Sequence, residues 1–220
     1  RNWINKPVII IGSGGHAKVI SDMAKLLGME ILGFVSPNVE VGASFCGSEI
    51  LGDDLIISSY SSEKINLING IGALPGKNLR QEVSNRMREQ GYSFATVVHP
   101  NAIISTDVEL DEGVQVMAGA IIQTSVKIGM DTIVNTGAII DHDCYIEENC
   151  HIAPGSVLSG GVVVKNGSYI GSGAKIIQCI TINDGCTIAA GTTVYANVPS
   201  KMLVRQRLDT RLKKIDFNHA

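Results

Sequence analysis

The feature that most constrains this chain is an aliphatic residue at every sixth position from Val98 to Val194. The series begins Val98, Ile104, Leu110, Val116, Ile122 and runs unbroken to Ile182, Ile188 and Val194. A helix repeats near 3.6 residues and a simple strand every two, so a strict step of six demands short strands joined by tight turns. Two positions before the anchor the residue is mostly small, as at Ala102, Ala120, Ala138, Cys144, Ser156 and Ala174; by the strand period it shares the inward face and leaves the anchor room. Three positions after the anchor glycine is common, at Gly119, Gly137, Gly155, Gly173 and Gly191, as a backbone turning through positive φ requires. Three such repeats close one triangular coil, and coils stacked at ~4.8 Å make a column about 26 Å tall. A parallel β-solenoid over residues 98–198 is the expectation.

Composition narrows the function classes. The chain has 220 residues and a formal charge of -3, which gives no reason to expect nucleic acid or a charged membrane surface as partner. No apolar run approaches the length of a membrane span, and Arg1 to Pro7 lack the hydrophobic segment of a signal peptide, so cytoplasm is the expected location. The 5 cysteines include no Cys-x-x-Cys pair and no Cys/His cluster of metal spacing, so no metal site is expected. Cys150 and Cys186 share a corner column two coils apart, about 9.6 Å, beyond the ~7 Å reach of a disulfide, and read as buried thiols.

Residues 1–97 read as a separate small α/β domain. Val8–Ile11 is an apolar strand, Gly12-Ser13-Gly14-Gly15-His16 a glycine-rich turn, 17–27 a helix and Ile31–Val35 a second strand. Backbone N–H groups at such a strand-to-helix turn can hold a phosphate or pyrophosphate. A dinucleotide oxidoreductase would place an acidic residue after the second strand, where Ser36-Pro37-Asn38 stands instead, so a nicotinamide enzyme is disfavoured. Ile50 to Asp54 reads as a turn into another short element, 64–73 as a strand, 77–90 as a helix and 94–98 as a strand entering the coil. Beyond Pro199, Val204, Leu208, Leu212 and Ile215 fall at helical spacing, which predicts a C-terminal helix within residues 199–220.

Within the coil, His142-Asp143 follows the anchor Ile140 at a corner pointing away from the packed anchors, so the imidazole is reachable. The segments Ile10 to His16, His99-Pro100-Asn101-Ala102 and Asn135 through Gly161, with Asn135-Thr136, His142-Asp143-Cys144, His151-Ile152-Ala153-Pro154-Gly155 and Leu158 to Gly161 in order, resemble the bacterial nucleotide-sugar N-acetyltransferases and sialic-acid O-acetyltransferase-like proteins. The resemblance covers residues 7–199. It implies a left-handed parallel β-helix of hexapeptide repeats behind a Rossmann-like βαβ domain, a homotrimer, and acetyl-CoA as co-substrate.

The same resemblance assigns His142 as general base with Asp143 as its acidic partner, and Asn135 as a residue that positions base or sugar. It places His151 at the thioester end of the coenzyme and Gly160, Ser172, Gly173 and Ala190 along the coenzyme wall. Gly12, Gly14, Gly15, His16, Ser36 and Gly72 fall in the nucleotide-sugar site. A base with pKa near neutrality suits removal of a proton from an attacking amine, and a carboxylate beside it favours the imidazolium. The implied reaction is N-acetylation of a nucleotide-linked amino sugar of the 4-amino-4,6-dideoxy type in surface-glycan synthesis. The alternatives are O-acetylation of a sialic-acid-like sugar and a non-catalytic nucleotide-sugar-binding trimer. UDP-sugar members carry an acidic pair where Ser36-Pro37 stands and Ile-Gly-Asn where Ile71-Gly72-Ala73 stands, which leaves UDP, GDP and CMP open.

Overall fold

The computed structural model describes residues 6–206, as a small α/β unit running into a parallel β-solenoid. In the first unit β1 (Val8–Ile11), β2 (Ile31–Val35), β3 (Ser44–Phe45), β4 (Ser48–Gly52) and β5 (Asn66–Asn69) form one sheet in the order β3-β4-β2-β1-β5, parallel except for the β3–β4 hairpin. β1 is buried at every residue because it is central, with α1 (Gly15–Leu26) on one face and α2 (Leu79–Glu89) on the other, which accounts for its unbroken apolar run. The 64–73 strand predicted from sequence is shorter, ending at Asn69; the backbone beyond it turns past the β1–α1 loop.

The chain steps from sheet to solenoid without a linker. Phe94 bridges Leu67 in parallel, the Ala95 N–H donates to Leu67 O, and Val97–Val98 is already the first coil strand. Two-residue strands then pair across eighteen residues, Ile122 with Ile140, Ile140 with Leu158 and Leu158 with Ile176, building three parallel sheets of 6, 5 and 7 strands. The anchors form one continuous core, with Val116, Ile140, Ile152 and Ile170 fully buried. Val97, Met117 and Ile133 point outward from one face yet pack with Val8, Ile10 and Ile20, so the two units share a core. Arg88 of α2 adds a bidentate pair to the buried Asp131 corner, at 2.5 and 3.0 Å, and a contact at 3.0 Å to Glu112.

From Gly113 to Gly191 the corner residue three after each anchor passes through the left-handed region, and not only at glycine. Ser125, Asp131, Asp143, Asn149 and Cys179 occupy that slot with φ of 61, 58, 59, 56 and 57°. Asp143 therefore sits in the regular turn position of the repeat.

The sequence reading misses the end of the solenoid. Val204, expected to open a helix, lies in the strand Leu203–Val204 paired with Thr187–Ile188, and Val198 bridges Ile182. These pairings span sixteen residues in place of eighteen, so the coil shortens by two and the six-residue series breaks while the strand stacking goes on. Leu208, Leu212 and Ile215 lie outside the described residues.

Glycines in the column divide into two mechanical types. A Cβ on Gly171 would lie 2.5 Å from Ile188 O and 2.6 Å from Ala190 N, whereas one on Gly167, with φ +66°, meets nothing within 4 Å. Gly167→Ala should cost about 1–2 kcal/mol from backbone conformation alone, and Gly171→Ala more than that through steric collision with the next coil. Urea unfolding midpoints of the two variants check the order.

Candidate active site

The β1–α1 turn borders a cavity of about 480 Å³. Gly12 turns it at φ +102°, pressed so near Gly70 that a Cβ would stand 3.3 Å from its carbonyl. Gly14 caps α1 without a side-chain hydrogen bond, and no acidic residue occupies the first turn, so the free N–H groups and the positive end of the helix face open space. Gly14 and Gly15 carry no side chain into that space, and Ser36, Gly72 and His16 complete the near wall, with Ser36 Oγ accepting from Ser13 Oγ at 2.8 Å. All six residues assigned to this site by resemblance line one cavity.

His16 is not a free surface cation. Its Nε2–H donates to Gln115 Oε1 at 2.8 Å, and Gln115 donates onward to Asn69 O at 2.8 Å, so the glycine turn is tied to the first full coil. Burial, reinforced by the Arg80 charge and partly offset by Gln115, pulls the His16 pKa down to about 4. Arg80 itself is buried, donates to Asn69 O and Ile71 O at 2.7 and 2.8 Å, and braces the far side of the cavity floor. The sequence reading misses this network, because Gln115, Asn69 and Arg80 lie far apart in the chain and match no local motif.

On the coil, Asn135 Oδ1 accepts the Thr136 N–H at 2.7 Å, which leaves its Nδ2 to donate to His151 Nε2 at 3.3 Å. The His151 proton therefore sits on Nδ1, which is buried and finds no partner among the described residues. The ring stacks on Tyr169 with centroids 4.8 Å apart, and its pKa falls to about 4 through burial, then the charges of His16 and Arg80. Asn135, His151 and His16 thus meet on the face of the column that carries the α/β unit.

His142 stands elsewhere. Its Nδ1–H donates to Asp143 Oδ2 at 2.7 Å, which leaves the Nε2 lone pair free as a base, and the side chain is 56% exposed. The Asp143 hydrogen bond, followed by the charge of Asp141, raises its pKa above the ordinary imidazole value. The ring lies flat on Gly160, one coil away, where a Cβ would fall 2.7 Å from Cε1 and Nε2. Gly160 therefore makes room for the imidazole as well as for any ligand. Cys144, next along, has its thiol pushed up to about 11 by burial, which excludes it as a ready nucleophile.

The single chain gathers these residues on two edges of the prism. Asn135, Ser172, Gly173 and Ala190 belong to the corner that leads into the strands of one sheet, Ile139–Ile140, Val157–Leu158, Lys175–Ile176 and Thr193–Val194. His142, Asp143 and Gly160 belong to the corner that leaves those strands, one face away, roughly 15–20 Å at ~3.3 Å per residue. Among the described residues no group of three or more His, Cys, Asp or Glu is placed to hold a metal ion, and no helix is long and apolar enough to cross a membrane.

A tautomer-locked imidazole on one edge of a six-residue-repeat solenoid, with a glycine-turn cavity in the front unit, is an arrangement suited to acyl transfer. Residues 7–87 match the family model of the PglD N-terminal domain, and residues 125–160 that of the bacterial transferase hexapeptide with six repeats. Among solved structures, perosamine N-acetyltransferase from Caulobacter crescentus, in complex with CoA and GDP-perosamine, is 34% identical, with TM-score 0.84 over 90% of this chain and 93% of that one. The acetyltransferase domain of PglB from Neisseria gonorrhoeae FA1090 is 30% identical, with TM-score 0.83 over 90% and 95% when in complex with acetyl coenzyme A. WeeI from Acinetobacter baumannii AYE, 21% identical with TM-score 0.81 over 90% and 96%, shares the fold. A search of curated proteins finds no significant match. The chain belongs to the nucleotide-sugar N-acetyltransferase family and is an acyltransferase.

The two depressed histidines carry a stability signature. Their folded pKa near 4 lies below the ~6.5 of an unfolded histidine, so the unfolded state takes up protons first as pH falls. Their contribution is fully present above pH ~6.5 and is lost toward pH ~4, at up to about 1.4 kcal/mol per pH unit for each histidine. Urea midpoints measured from pH 8 to 4 should hold and then fall. His16→Gln and His151→Gln should each flatten the fall, whatever they do to the plateau.

Proposed function

We propose that the protein transfers the acetyl group of acetyl-CoA to the amino group of a nucleotide-linked 4-amino-4,6-dideoxy sugar, within synthesis of a bacterial surface glycan. The observation that carries this reading is the His142 imidazole, held in one tautomer by Asp143 and exposed beside Gly160. The nucleotide diphosphate docks against the Gly14–Gly15 turn, with the sugar directed past His16 toward the coil. The coenzyme lies along the corner of Ser172, Gly173 and Ala190, with its thioester end toward the His151 side of the coil.

The reaction is direct. The amine attacks the thioester carbonyl carbon, a C–N bond forms, and His142 Nε2 takes the amine proton as Asp143 stabilises the imidazolium. The C–S bond then breaks and the proton passes from His142 to the departing coenzyme sulfur. The Gly160 N–H donates to no group among the described residues and lies beside the ring, placed to receive the developing negative oxygen.

Because the base and the coenzyme corner stand on different edges of one chain, the complete site is proposed to form between subunits of a homotrimer. The outward stripe of Ile103, Ile121, Ile139 and Val157 gives the face between those edges an apolar surface for association; Ile103 is 65% exposed in the isolated chain.

His142→Ala should lower kcat by about 10²–10⁴-fold in an assay of thiol release from acetyl-CoA with an amino-sugar nucleotide, and leave coenzyme binding intact. Retention of near-wild-type turnover would remove the assigned base. With the native enzyme, kcat/KM should rise with pH through an apparent pKa above ~6.5, because the base works only when unprotonated and Asp143 raises its pKa. Asp143→Asn, chosen because Asn tolerates the corner φ of 59°, should move that pKa downward. An unmoved profile would contradict the pairing.

A further inference from the structure

The nucleotide cavity has two ends, and the proposed function uses only one. With the phosphates at Gly14–Gly15 and the sugar toward the coil, the nucleoside is left the part of the cavity bordered by Val35, Pro37 and Asn38. The same cavity is lined by Leu79 and Leu74, 56% and 64% exposed, apolar surfaces against which a flat ring can pack. The one acidic or basic side chain lining this cavity, apart from His16, is Asp54.

Asp54 is not spent on the local backbone. The preceding Asp53 caps the short 3₁₀ helix Asp54–Ser59 by accepting the Leu55 N–H at 3.0 Å. Asp54 Oδ2 pairs with Arg86 of α2, while Oδ1 accepts no hydrogen bond among the described residues. Asp54 and Pro37 also border a second cavity, of about 530 Å³, whose wall includes Arg86. The ion pair therefore stands where the two cavities meet, and Arg86 fixes the carboxylate's orientation.

We propose that Asp54 reads the nucleobase and selects guanine, so that the donor nucleotide is a GDP-sugar. An ionised carboxylate only accepts hydrogen bonds. Guanine presents two adjacent donors, N1–H and the 2-amino group, to such an acceptor. Uracil offers one donor flanked by two carbonyl oxygens, and cytosine and adenine each set a ring-nitrogen acceptor beside the amino group, so each meets the carboxylate with at least one repulsive contact. The inference rests on the nucleotide-sugar reading above.

The test is calorimetric titration of the full chain with GDP, IDP, UDP and CDP, for the native protein and Asp54→Asn. GDP should bind at least about 10-fold more tightly than UDP or CDP, the scale of a hydrogen bond to a charged group. IDP, which lacks the 2-amino group, should fall between. In Asp54→Asn the GDP advantage over both IDP and UDP should collapse, with GDP affinity falling while UDP affinity holds or rises, since the phosphate contacts are untouched and the repulsion of the uracil carbonyls is relieved. A purely structural Asp54–Arg86 tie would weaken all nucleotides together and overturn the proposal. So would native UDP binding equal to GDP, or a GDP preference that survives Asp54→Asn. Failure of every nucleotide to bind would instead remove the nucleotide-sugar reading on which the proposal stands.

Discussion

The structure depends on a backbone reversal into the left-handed region once every six residues. From Gly113 to Gly191 a residue with φ near +60° after each two-residue strand bends the chain into the next face of the prism, and three bends return it one strand spacing higher. Glycine meets this demand without strain, and Asp131, Asp143 and Asn149 meet it with short polar side chains that tolerate the region. Because the turn recurs so regularly, residues eighteen apart stack, and any side chain in a corner slot finds its environment set by the coils above and below. His142 lies on Gly160 for this reason alone: the two occupy the same slot of successive coils.

That regularity also decides what one chain can and cannot assemble. The α/β unit is fastened to the column by a shared apolar core, by the Arg88–Asp131 pair and by the His16–Gln115–Asn69 chain of hydrogen bonds. The glycine turn is thereby brought to the face bearing Asn135 and His151. The same prism geometry holds His142 a full face away from the corner of Ser172, Gly173 and Ala190. Burial lowers His16 and His151 while the exposed carboxylate raises His142, so the three imidazoles differ in charge state near neutral pH, which is the division that the proposed reaction uses.

Much of this was legible in the chain because repetition is a strong signal. The six-residue anchors give the solenoid, and the glycine turn after an apolar strand gives the front cavity. The end of the column was not legible, since two residues lost after Val194 break the period while Leu203–Val204 still pairs, so a strand looks like the start of a helix. The Arg80, Asn69 and Gln115 network was hidden because contacts between distant elements leave no spacing to read. Asp54 was hidden for a similar reason: it stands some forty residues from the turn whose cavity it completes. Residue types suggested His142 was reachable; only the stacking of coils reveals that Gly160 makes its place.

The central claim is that base and coenzyme corner meet only across a subunit boundary. Complementation tests it most directly: His142→Ala, which lacks the base, is mixed under exchanging conditions with Ser172→Trp, which fills the coenzyme corner at an exposed position. Each variant alone should be inactive. The equimolar mixture should recover turnover at about a quarter of the native sites, the share that random mixing of two chains gives to pairs with both halves intact. Mixed assemblies that form yet stay inactive, or a native chain that is fully active as a monomer, would contradict the account.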